Sequence, residues 1–287
     1  MKVWLDGELV DKQDAKITVF DHGTLYGDGV FEGIRVYGGK IFRCADHVNR
    51  LYESAKAIRL SIPYSKQEIV KAMQDALEAN SLQDAYIRLV ITRGPGTLGL
   101  SPFKCPTPSV YIIADQVALY PEHMYKNGMA VIIADWVRCS RDMLPPKVKS
   151  LNYLNNILAK IQAIDAGVEE AVMLNKDGNV AECTGDNIFI VKDGTVYTPP
   201  SEDGILEGIT RKVVIDLAKR EGIPIEEKSF TAQELCEADE CFLTGTAAEV
   251  IAVTKVNGTT IGDGNQGPIA ARLFRAFRDY IAAGDFE

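Results

Sequence analysis

Two lysines stand shortly ahead of a predicted amphipathic helix, in the segment PPKVKSLNYLNNILAK that spans residues 145–160. A lysine amine can bond to the carbon of an aldehyde and, once displaced, can carry a proton at the same place. Lys147 and Lys149 both have the side chain for this chemistry. Each could equally be a solvated charge on a connecting segment, so the two lysines alone do not identify a site.

An acidic and a basic side chain occur beside apolar residues, where a charge needs a partner. Glu182 lies in the apolar stretch NVAECTGDNIFIV, in which a buried carboxylate requires a cation or hydrogen-bond donors. Arg50 lies next to the apolar face of a predicted helix. A strand-end glutamate and a surface arginine that both face water are the alternative interpretations.

Two short segments have the composition of anion-binding turns. In LEGITR, Ile209 and Thr210 lie at the start of a predicted helix, where unpaired N–H groups and the helix dipole favour a phosphate. In LTGTAAE, Gly245, Thr246 and Ala247 form a small-residue turn between two predicted strands. Ordinary helix capping and an ordinary turn are the alternatives.

Common nucleotide and hydrolase motifs give no support to other enzyme classes. The sequence GPGTLG at residues 94–99 fits G-x-G-x-x-G, but prolines follow at positions 102, 106 and 108, where a dinucleotide-binding motif requires a helix. Neither G-x-S-x-G nor the phosphate-loop pattern G-x-x-x-x-G-K-[ST] occurs. These absences argue against a serine hydrolase and a P-loop enzyme.

The composition is that of a soluble globular protein with a small-molecule partner. The 287 residues are 46% hydrophobic and 25% charged, a length that predicts about two domains. A formal charge of -9 argues against nucleic-acid binding. We expect neither a membrane span nor a secretory signal and therefore a cytoplasmic protein. Six scattered cysteines without a Cys-x-x-Cys pair, and three distant histidines, predict neither a metal site nor a disulfide framework.

Alternating β-rich and helical patterns predict an α+β / α/β fold in two domains. Residues 1–116 form a small α+β domain with a helix whose cap we assign to Asp46, residues 117–127 a linker, and residues 128–287 a larger domain. The second domain carries a helix from about residue 150 to 166, whose apolar stripe is Leu151, Leu154, Leu158 and Ile161. An Asp-Gly pair at 177–178 then predicts a β-hairpin.

Six segments together resemble one enzyme family. They are YGDGVFEGIRVYGGKIF, HVNRLYESAKAI, KSLNYLNN, ECTGDNIFIV, GILEGITR and FLTGTAAEV, and their order and approximate spacing are those of the class IV aminotransferases, the pyridoxal-phosphate enzymes of fold type IV. The resemblance covers nearly the whole chain. It implies a two-domain fold type IV structure and pyridoxal 5'-phosphate as cofactor.

The resemblance selects Lys149 as the catalytic lysine, because the family's cofactor lysine stands in Lys-Ser-x-Asn. It implies that Glu182 faces the pyridine nitrogen and keeps it protonated, that Tyr153 bonds the 3-oxygen, and that Arg50 holds the phosphate. The full set of cofactor-binding residues that it implies is Arg50, Lys149, Tyr153, Glu182, Gly185, Ile209, Thr210 and Thr246.

Within the class, the chain most resembles the branched-chain-amino-acid aminotransferases. The substrate-binding residues that this implies are Tyr26, Phe31, Gly33, Arg35, Tyr86, Arg88, Thr246 and Ala247, and Tyr120 is a further pocket candidate. Such an enzyme moves the amino group of L-leucine, isoleucine or valine to 2-oxoglutarate by a ping-pong mechanism. We expect a homodimer or a higher homo-oligomer.

Three alternatives stay open. The Lys-Ser-Leu-Asn form of the lysine segment also resembles the D-amino acid transaminases. An aminodeoxychorismate lyase is a relative with a different reaction, and a cofactor-free binding protein of the same architecture is the alternative outside enzymes. The segment 94–108 aligns with no family pattern, which leaves side activities open.

Overall fold

The structure, a computed structural model, describes residues 1–116 and 120–286. The described residues fall into two compact units: residues 1–116, 148–152 and 286 form the first, and residues 120–147 and 153–285 the second. The division predicted from sequence places residues 148–152 in the second domain instead. The first three residues of the predicted linker, 117–119, lie outside the described residues, and its last six form a helix.

The first unit contains, within the described residues, a six-stranded antiparallel sheet and two long helices. Its strands are β1 (Lys2–Leu5), β2 (Glu8–Asp11), β3 (Gly29–Tyr37), β4 (Lys40–Ile41), β5 (Ala85–Thr92) and β6 (Ser109–Asp115), in the spatial order β2-β1-β6-β5-β3-β4. Its α-helices are α1 (His22–Tyr26), α2 (Cys44–Ala57) and α3 (Lys66–Ala79), and Pro102–Lys104 forms a 3-10 turn.

Strand alternation divides this sheet into two chemically different faces. Val30, Ile34 and Val36 of β3 are fully buried in a core that includes Leu51 of α2 and Met73 of α3. Successive side chains of a strand point to opposite faces, so Phe31, Gly33 and Arg35 lie on the other side of the sheet. The two helices cover one face, and the other face carries the side chains discussed below.

The second unit is built on a mixed nine-stranded sheet, counted over the described residues. Its elements in chain order are α4 (Glu122–Asn127), β7 (Met129–Ile133), α5 (Leu154–Asp165), β8 (Glu170–Leu174), β9 (Val180–Cys183), β10 (Asn187–Lys192), β11 (Thr195–Thr198), a 3-10 turn at Ser201–Asp203, α6 (Ile209–Arg220), β12 (Ile225–Glu227), α7 (Ala232–Cys236), β13 (Glu240–Gly245), β14 (Glu249–Val256), β15 (Thr259–Thr260) and α8 (Pro268–Ala283). The spatial order is β12-β11-β10-β13-β14-β7-β8-β9, and β15 pairs with β14.

Local signals account for several elements of this unit. The Asp-Gly pair predicted as a hairpin joins β8 to β9, and Gly178 adopts the left-handed φ of 84° that favours glycine. Proline opens α8 at its first turn, and a left-handed glycine, Gly284, follows its last residue. Phe189 of β10 and Phe242 of β13 are cross-strand partners whose rings stack at 4.9 Å in the core.

Two predictions about helices are wrong. Asp46 does not cap α2, which begins two residues earlier; its carboxylate accepts a hydrogen bond from Arg43 Nε instead, at 2.6 Å. The predicted helix from residue 150 begins only at Leu154, because the four residues before it are held outside the helix. The apolar stripe of α5 also faces outward, since Leu154 and Ile161 are exposed, while Asn156, Ala159 and Ala163 are buried.

Within residues 1–116 and 120–286, none of the helices is both long and apolar enough to cross a membrane.

Candidate active site

The lysine segment is held against β3 as a short extended strand. Ser150 forms a β-bridge with Val30. The Phe31 N–H donates to the Lys149 carbonyl and the Leu151 N–H to the Gly29 carbonyl, both at 3.0 Å. Backbone pairing of this kind fixes the position of the lysine backbone beside β3. A helical conformation of the same residues would not allow this pairing.

A third contact fixes the same lysine from α2. The Lys149 N–H donates to Ser54 Oγ at 3.1 Å, and Ser54 is itself buried. The Lys149 Nζ lies 4.7 Å from the centre of the Phe31 ring and is half-buried. Lys147, the other candidate, is exposed. The geometry therefore favours Lys149 as the lysine with a defined environment.

Serine and asparagine of the Lys-Ser-x-Asn pattern close the turn behind the lysine. Ser150 Oγ accepts a hydrogen bond from the Asn152 N–H at 3.3 Å, and Asn152 Nδ2 donates to the Gly27 carbonyl at 3.0 Å. Gly27 has a left-handed φ of 69°, and a side chain there would press on the Asn152 amide. The serine and asparagine of the pattern thus stabilise the conformation of the lysine segment.

Five of the predicted substrate residues share the face of the first sheet that α2 and α3 do not cover. Gly33 of β3 is paired with Arg88 of β5, and Arg35 with Tyr86, so these four lie on one face together with Phe31. The Arg88 guanidinium lies 4.0 Å from the centre of the Phe31 ring. A Cβ at position 33 would overlap the Tyr86 hydroxyl, so this close approach requires glycine. The face combines an aromatic wall with cations, which suits a carboxylate beside an aliphatic chain.

Tyr26, the sixth predicted substrate residue of this unit, lies on α1 and not on the sheet face. Its hydroxyl accepts a hydrogen bond from the Gly99 N–H at 2.9 Å, and its ring packs edge-on against His22. His22 Nε2 lies 2.9 Å from the Thr97 carbonyl. The unaligned segment 94–108 is therefore anchored to α1 through these two side chains.

Arg50, the predicted phosphate ligand, is paired with a glutamate that the sequence analysis missed. Arg50 Nε donates to Glu32 Oε1 and Nη2 to Oε2, both at 2.8 Å. Glu32 is fully buried on the helix side of β3. Burial raises the pKa of Glu32, but Arg50 and His47 outweigh it and lower the pKa to about 2. Because side chains alternate along a strand, Glu32 lies on the opposite face from Phe31 and Gly33, among core residues. This pattern was the signal in the sequence that could have identified Glu32.

Glu182, in the second unit, is a buried carboxylate with every oxygen bonded. Oε1 accepts from Arg138 Nε at 2.9 Å and lies 2.8 Å from Nη2. Oε2 accepts from Asn187 Nδ2 at 3.1 Å and from the Leu206 N–H at 2.9 Å. The apolar surroundings of Glu182 in the sequence indicated that a buried carboxylate there needs a cation or hydrogen-bond donors, but no pattern identified Arg138. Four contacts of this kind fix both the position and the plane of the carboxylate.

Tyr153 is connected to the same network through the helix that it precedes. It occupies the N-cap position of α5 and is half-buried. One turn later, Asn156 Nδ2 donates to the Thr184 carbonyl at 2.8 Å, and its Oδ1 accepts from Arg138 at 3.4 Å. The structure therefore brings the start of α5, Glu182 and the turn after β9 together. Gly185, in that turn, is exposed, and a Cβ there would meet no atom of the described residues within 4 Å.

The N-terminus of α6 has the features of a phosphate site. The helix begins at Ile209 after an N-cap glycine, Gly208, which has no side chain with which to bond the first N–H groups. Thr210 is buried, and its Oγ1 has no hydrogen-bond partner among residues 1–116 and 120–286. A buried hydroxyl without a partner, beside unpaired helix N–H groups, is suited to donate a hydrogen bond to an anionic ligand. These residues fit the phosphate of the cofactor.

The second predicted anion-binding turn follows β13. Thr246 and Ala247 are half-buried, and the preceding Gly245 packs so closely on Asp186 that a Cβ would overlap its carboxylate. Asp186 Oδ2 accepts a hydrogen bond from the Tyr120 hydroxyl at 2.9 Å. Burial, and then the Glu170 charge, raise the pKa of Asp186 to about 7. Tyr120 is thus buried in this unit with a defined partner.

Comparison with known proteins agrees with this geometry. Residues 29–256 match the profile of the family described as Amino-transferase class IV. The chain is 50% identical to a provisionally named branched-chain-amino-acid aminotransferase of Methanocaldococcus jannaschii, over 97% of this chain and 96% of that one. It is 37% identical to a D-alanine aminotransferase of Listeria monocytogenes, over 100% and 99%.

Solved structures give the same answer for the fold. The branched-chain aminotransferase of Thermoproteus uzoniensis with norvaline superposes with a TM-score of 0.93 at 41% identity, covering 99% of this chain and 96% of that one. The T.th. branched-chain amino acid aminotransferase complexed with N-(5'-phosphopyridoxyl)-L-glutamate has a TM-score of 0.93 at 36% identity, covering 98% and 94%.

Fold and comparisons together define a pyridoxal-phosphate aminotransferase with the fold type IV architecture. The chain belongs to the class IV aminotransferases. The family, fold class and cofactor predicted from sequence are thereby confirmed. Bound pyridoxal phosphate supplies an aldehyde and an electron-withdrawing ring, and these allow an amino group to pass between two carbon skeletons.

Proposed function

We propose that this aminotransferase moves the amino group of L-leucine, L-isoleucine or L-valine to 2-oxoglutarate by a ping-pong mechanism. The observation that carries the proposal lies on the face of the first sheet that α2 and α3 do not cover, where the Phe31 ring lies 4.0 Å from the Arg88 guanidinium. A ping-pong enzyme must accept an aliphatic side chain and the distal carboxylate of glutamate in turn. An aromatic wall with an arginine beside it serves both.

Lys149 is the residue to which we assign the chemistry. The Lys149 carbonyl is hydrogen-bonded to β3 and the Lys149 N–H to Ser54, so the position of the backbone that carries the amine is fixed. In this role Lys149 would hold the cofactor through its aldehyde. The Lys149 amine would then be placed to take up and return the proton of the substrate α-carbon.

The remaining residues position the two ligands. Glu182, fixed by Arg138, would hold the proton on the cofactor's ring nitrogen, and Tyr153 would bond the ring's 3-oxygen. The residues that would hold the phosphate are Arg50, Ile209, Thr210 and Thr246, and Gly185 is the remaining cofactor-binding residue of the proposal. Tyr26, Arg35, Tyr86 and Arg88 orient the carboxylates, with the Thr246 and Ala247 amides, while Phe31 and Gly33 shape the apolar wall. The buried Thr210 hydroxyl, which has no partner within the described ranges, supports the phosphate assignment.

Half-reactions test the substrate assignment directly. The purified holoenzyme is mixed separately with L-leucine, L-glutamate and D-alanine, and loss of the cofactor's visible absorption band is followed in a stopped-flow instrument. We expect L-leucine and L-glutamate to bleach the band at least about a hundredfold faster per unit concentration than D-alanine does. A faster reaction with D-alanine would reject the branched-chain assignment.

A D-amino acid transaminase is the second candidate. The specific observation in its favour is 37% identity over the full chain to a D-alanine aminotransferase, with both chains covered almost completely. The same half-reactions decide between the two, because the enantiomer that bleaches the band is read out directly.

We also propose a cytoplasmic homodimer. The outward stripe of α5, with Leu154, Ile157, Ile161 and Ile164 exposed by 46–67%, is the kind of apolar surface that a second copy of the chain covers. The six cysteines are free, as expected in a reducing compartment. Light scattering coupled to size-exclusion chromatography should give twice the chain mass, and Ile157→Lys should shift the protein toward monomer. An unchanged mass for this variant would reject α5 as the interface.

A further inference from the structure

One face of α2 carries three polar side chains in an otherwise apolar core. His47, Arg50 and Ser54 are spaced by three and four residues, so they lie on the same side of the helix. Ser54 accepts the Lys149 N–H, and the other two bond Glu32 on β3. A single helix face thus contacts both the catalytic lysine's backbone and a buried carboxylate for which transamination has no evident use.

Glu32 is an unusual core residue. Its side chain is 0% exposed, and it occupies a position on β3 flanked on the same face by Val30 and Ile34. A buried carboxylate of this kind is costly, and an apolar residue would stabilise the core as well or better. The position therefore needs an explanation beyond packing.

The geometry of the Glu32–Arg50 pair matches one planar group to another. The arginine's Nε and Nη2 each donate to a different carboxylate oxygen at 2.8 Å, which is the bidentate arrangement that fixes the plane of a guanidinium. The arginine side chain is 13% exposed, so it is held at the border of the core and not in solvent. Since Arg50 is the proposed phosphate ligand, its orientation decides how well it binds that group.

His47 holds Glu32 from the other side. Its Nδ1 lies 2.7 Å from Glu32 Oε2, and the ring is fully buried. Burial lowers the pKa of His47 in spite of the neighbouring carboxylate, so the ring is neutral at pH 7 and its Nδ1–H donates. Its Nε2 has no partner within residues 1–116 and 120–286, which agrees with the tautomer protonated at Nδ1.

We propose that Glu32 is a positioning residue for cofactor binding: it fixes the Arg50 guanidinium in the orientation that binds the cofactor phosphate, and His47 fixes Glu32 in turn. The inference rests on the phosphate role of Arg50 proposed above. It gives Glu32 and His47 a function in affinity for the phosphate, not in proton transfer.

Two forces act in opposite directions when Glu32 is changed to glutamine. Removing a negative charge beside the arginine should strengthen phosphate binding by simple electrostatics. Losing the bidentate partner should weaken it, because one oxygen becomes an NH2 group that cannot accept from Nη2. If Glu32 acts by positioning, the second effect dominates.

The experiment titrates the full-length chain, stripped of cofactor, with pyridoxal phosphate and with pyridoxal, which lacks the phosphate. We expect Glu32→Gln to weaken binding of pyridoxal phosphate about tenfold or more and that of pyridoxal less than about twofold. Glu53→Gln, which removes an exposed carboxylate from the same helix, is the matched control and should change neither. An unchanged or tighter affinity for pyridoxal phosphate in Glu32→Gln overturns the proposal.

A double-mutant cycle separates this proposal from the one on which it rests. Arg50→Met should weaken pyridoxal phosphate selectively, and adding Glu32→Gln to it should cause no further loss. If Arg50→Met does not discriminate the two ligands, the phosphate role of Arg50 is wrong. If Arg50→Met does discriminate the two ligands, and the losses of affinity in Arg50→Met and Glu32→Gln add in the double variant, Arg50 keeps its role but the positioning by Glu32 is rejected.

The His47 contact provides variants should Glu32→Gln fail to fold. Asparagine keeps an N–H donor close to the position of Nδ1, whereas leucine removes it. We expect His47→Asn to retain the preference for pyridoxal phosphate over pyridoxal, and His47→Leu to reduce it about threefold. Equal preferences in the two variants would overturn the contribution of His47.

Discussion

Glu32 in the first unit and Glu182 in the second are both buried strand glutamates bonded by an arginine, yet the bonding differs. The Arg50 fork meets both oxygens of Glu32, edge to edge. Arg138 directs its Nε and Nη2 groups to one oxygen of Glu182, and Asn187 and the Leu206 N–H occupy the other. The first arrangement fixes the plane of the arginine, and the second fixes the carboxylate.

The difference explains how one type of ion pair can serve opposite purposes. In the first unit the proposed ligand-binding group is the arginine, and the glutamate supports it. In the second unit the proposed ligand-binding group is the glutamate, and the arginine supports it. The neighbours decide the role, since His47 contributes one donor to Glu32, whereas Glu182 receives donors from three separate segments of chain.

Replacement of Lys149 is expected to have the largest effect on turnover, and the changes at the two glutamate–arginine pairs are compared with it. We expect Lys149→Ala to reduce turnover by at least about a thousandfold, because the only proposed proton carrier is lost. The circular dichroism spectrum should stay unchanged. Lys147→Ala is the matched control, since that lysine is exposed. Turnover near the wild-type level in Lys149→Ala would contradict the assignment for the whole site.

Replacing each of the two glutamates by glutamine tests the comparison between them most directly. We expect Glu182→Gln to lower kcat about a hundredfold at saturating cofactor, because its negative charge no longer holds the proton on the ring nitrogen. Glu32→Gln should leave kcat at saturating cofactor within about threefold and act on cofactor affinity instead. Glu226→Gln, an exposed strand glutamate, serves as control. Equal kcat losses in both variants would remove the distinction.

Buried carboxylates without an arginine should respond to pH in the opposite sense. The lowered pKa of Glu32 means that its stabilisation is present above the unfolded value near 4.5 and is lost as pH falls toward 2. The raised pKa of Asp186 means that stability is highest below the unfolded value of 3.8 and falls as pH rises through about 7.

Asp186→Asn should therefore flatten the decline in stability between pH 5 and pH 8. We expect a melting temperature at least about 2 °C above wild type at pH 8 and a smaller difference at pH 5, measured by calorimetry. The Tyr120 hydroxyl keeps an acceptor in this variant. Asp177→Asn, on the exposed hairpin turn, should leave the pH profile unchanged. A wild-type pH profile for Asp186→Asn would contradict the raised pKa.

The smallest effect concerns a helix cap in the first unit. Ser65 and Glu68 form a reciprocal capping box at the start of α3. Ser65→Ala should cost about 1 kcal/mol in the free energy of unfolding, measured with urea. Affinity for pyridoxal phosphate should not change. If it falls as it does in Glu32→Gln, general destabilisation and not the orientation of Arg50 explains both results.

Sequence by itself determined the elements whose signals are local. The Asp-Gly hairpin forms as expected, and α8 begins at a proline and ends before a glycine, because these residues act on the backbone within a few positions. The conspicuous motifs also identified the family, the fold class and the cofactor. The roles of the individual site residues, drawn from the same motifs, remain predictions.

Only the tertiary structure decided which partners the charged residues have. No local pattern identified the partners of Arg138, Glu32 and His47, since each of them pairs with a residue that lies 15 to 44 positions away in the chain. The lysine segment likewise looked like the first turn of a helix, yet pairing with β3 holds it extended. Pairing and burial depend on contacts between distant parts of the chain, and local propensity carries no information about them.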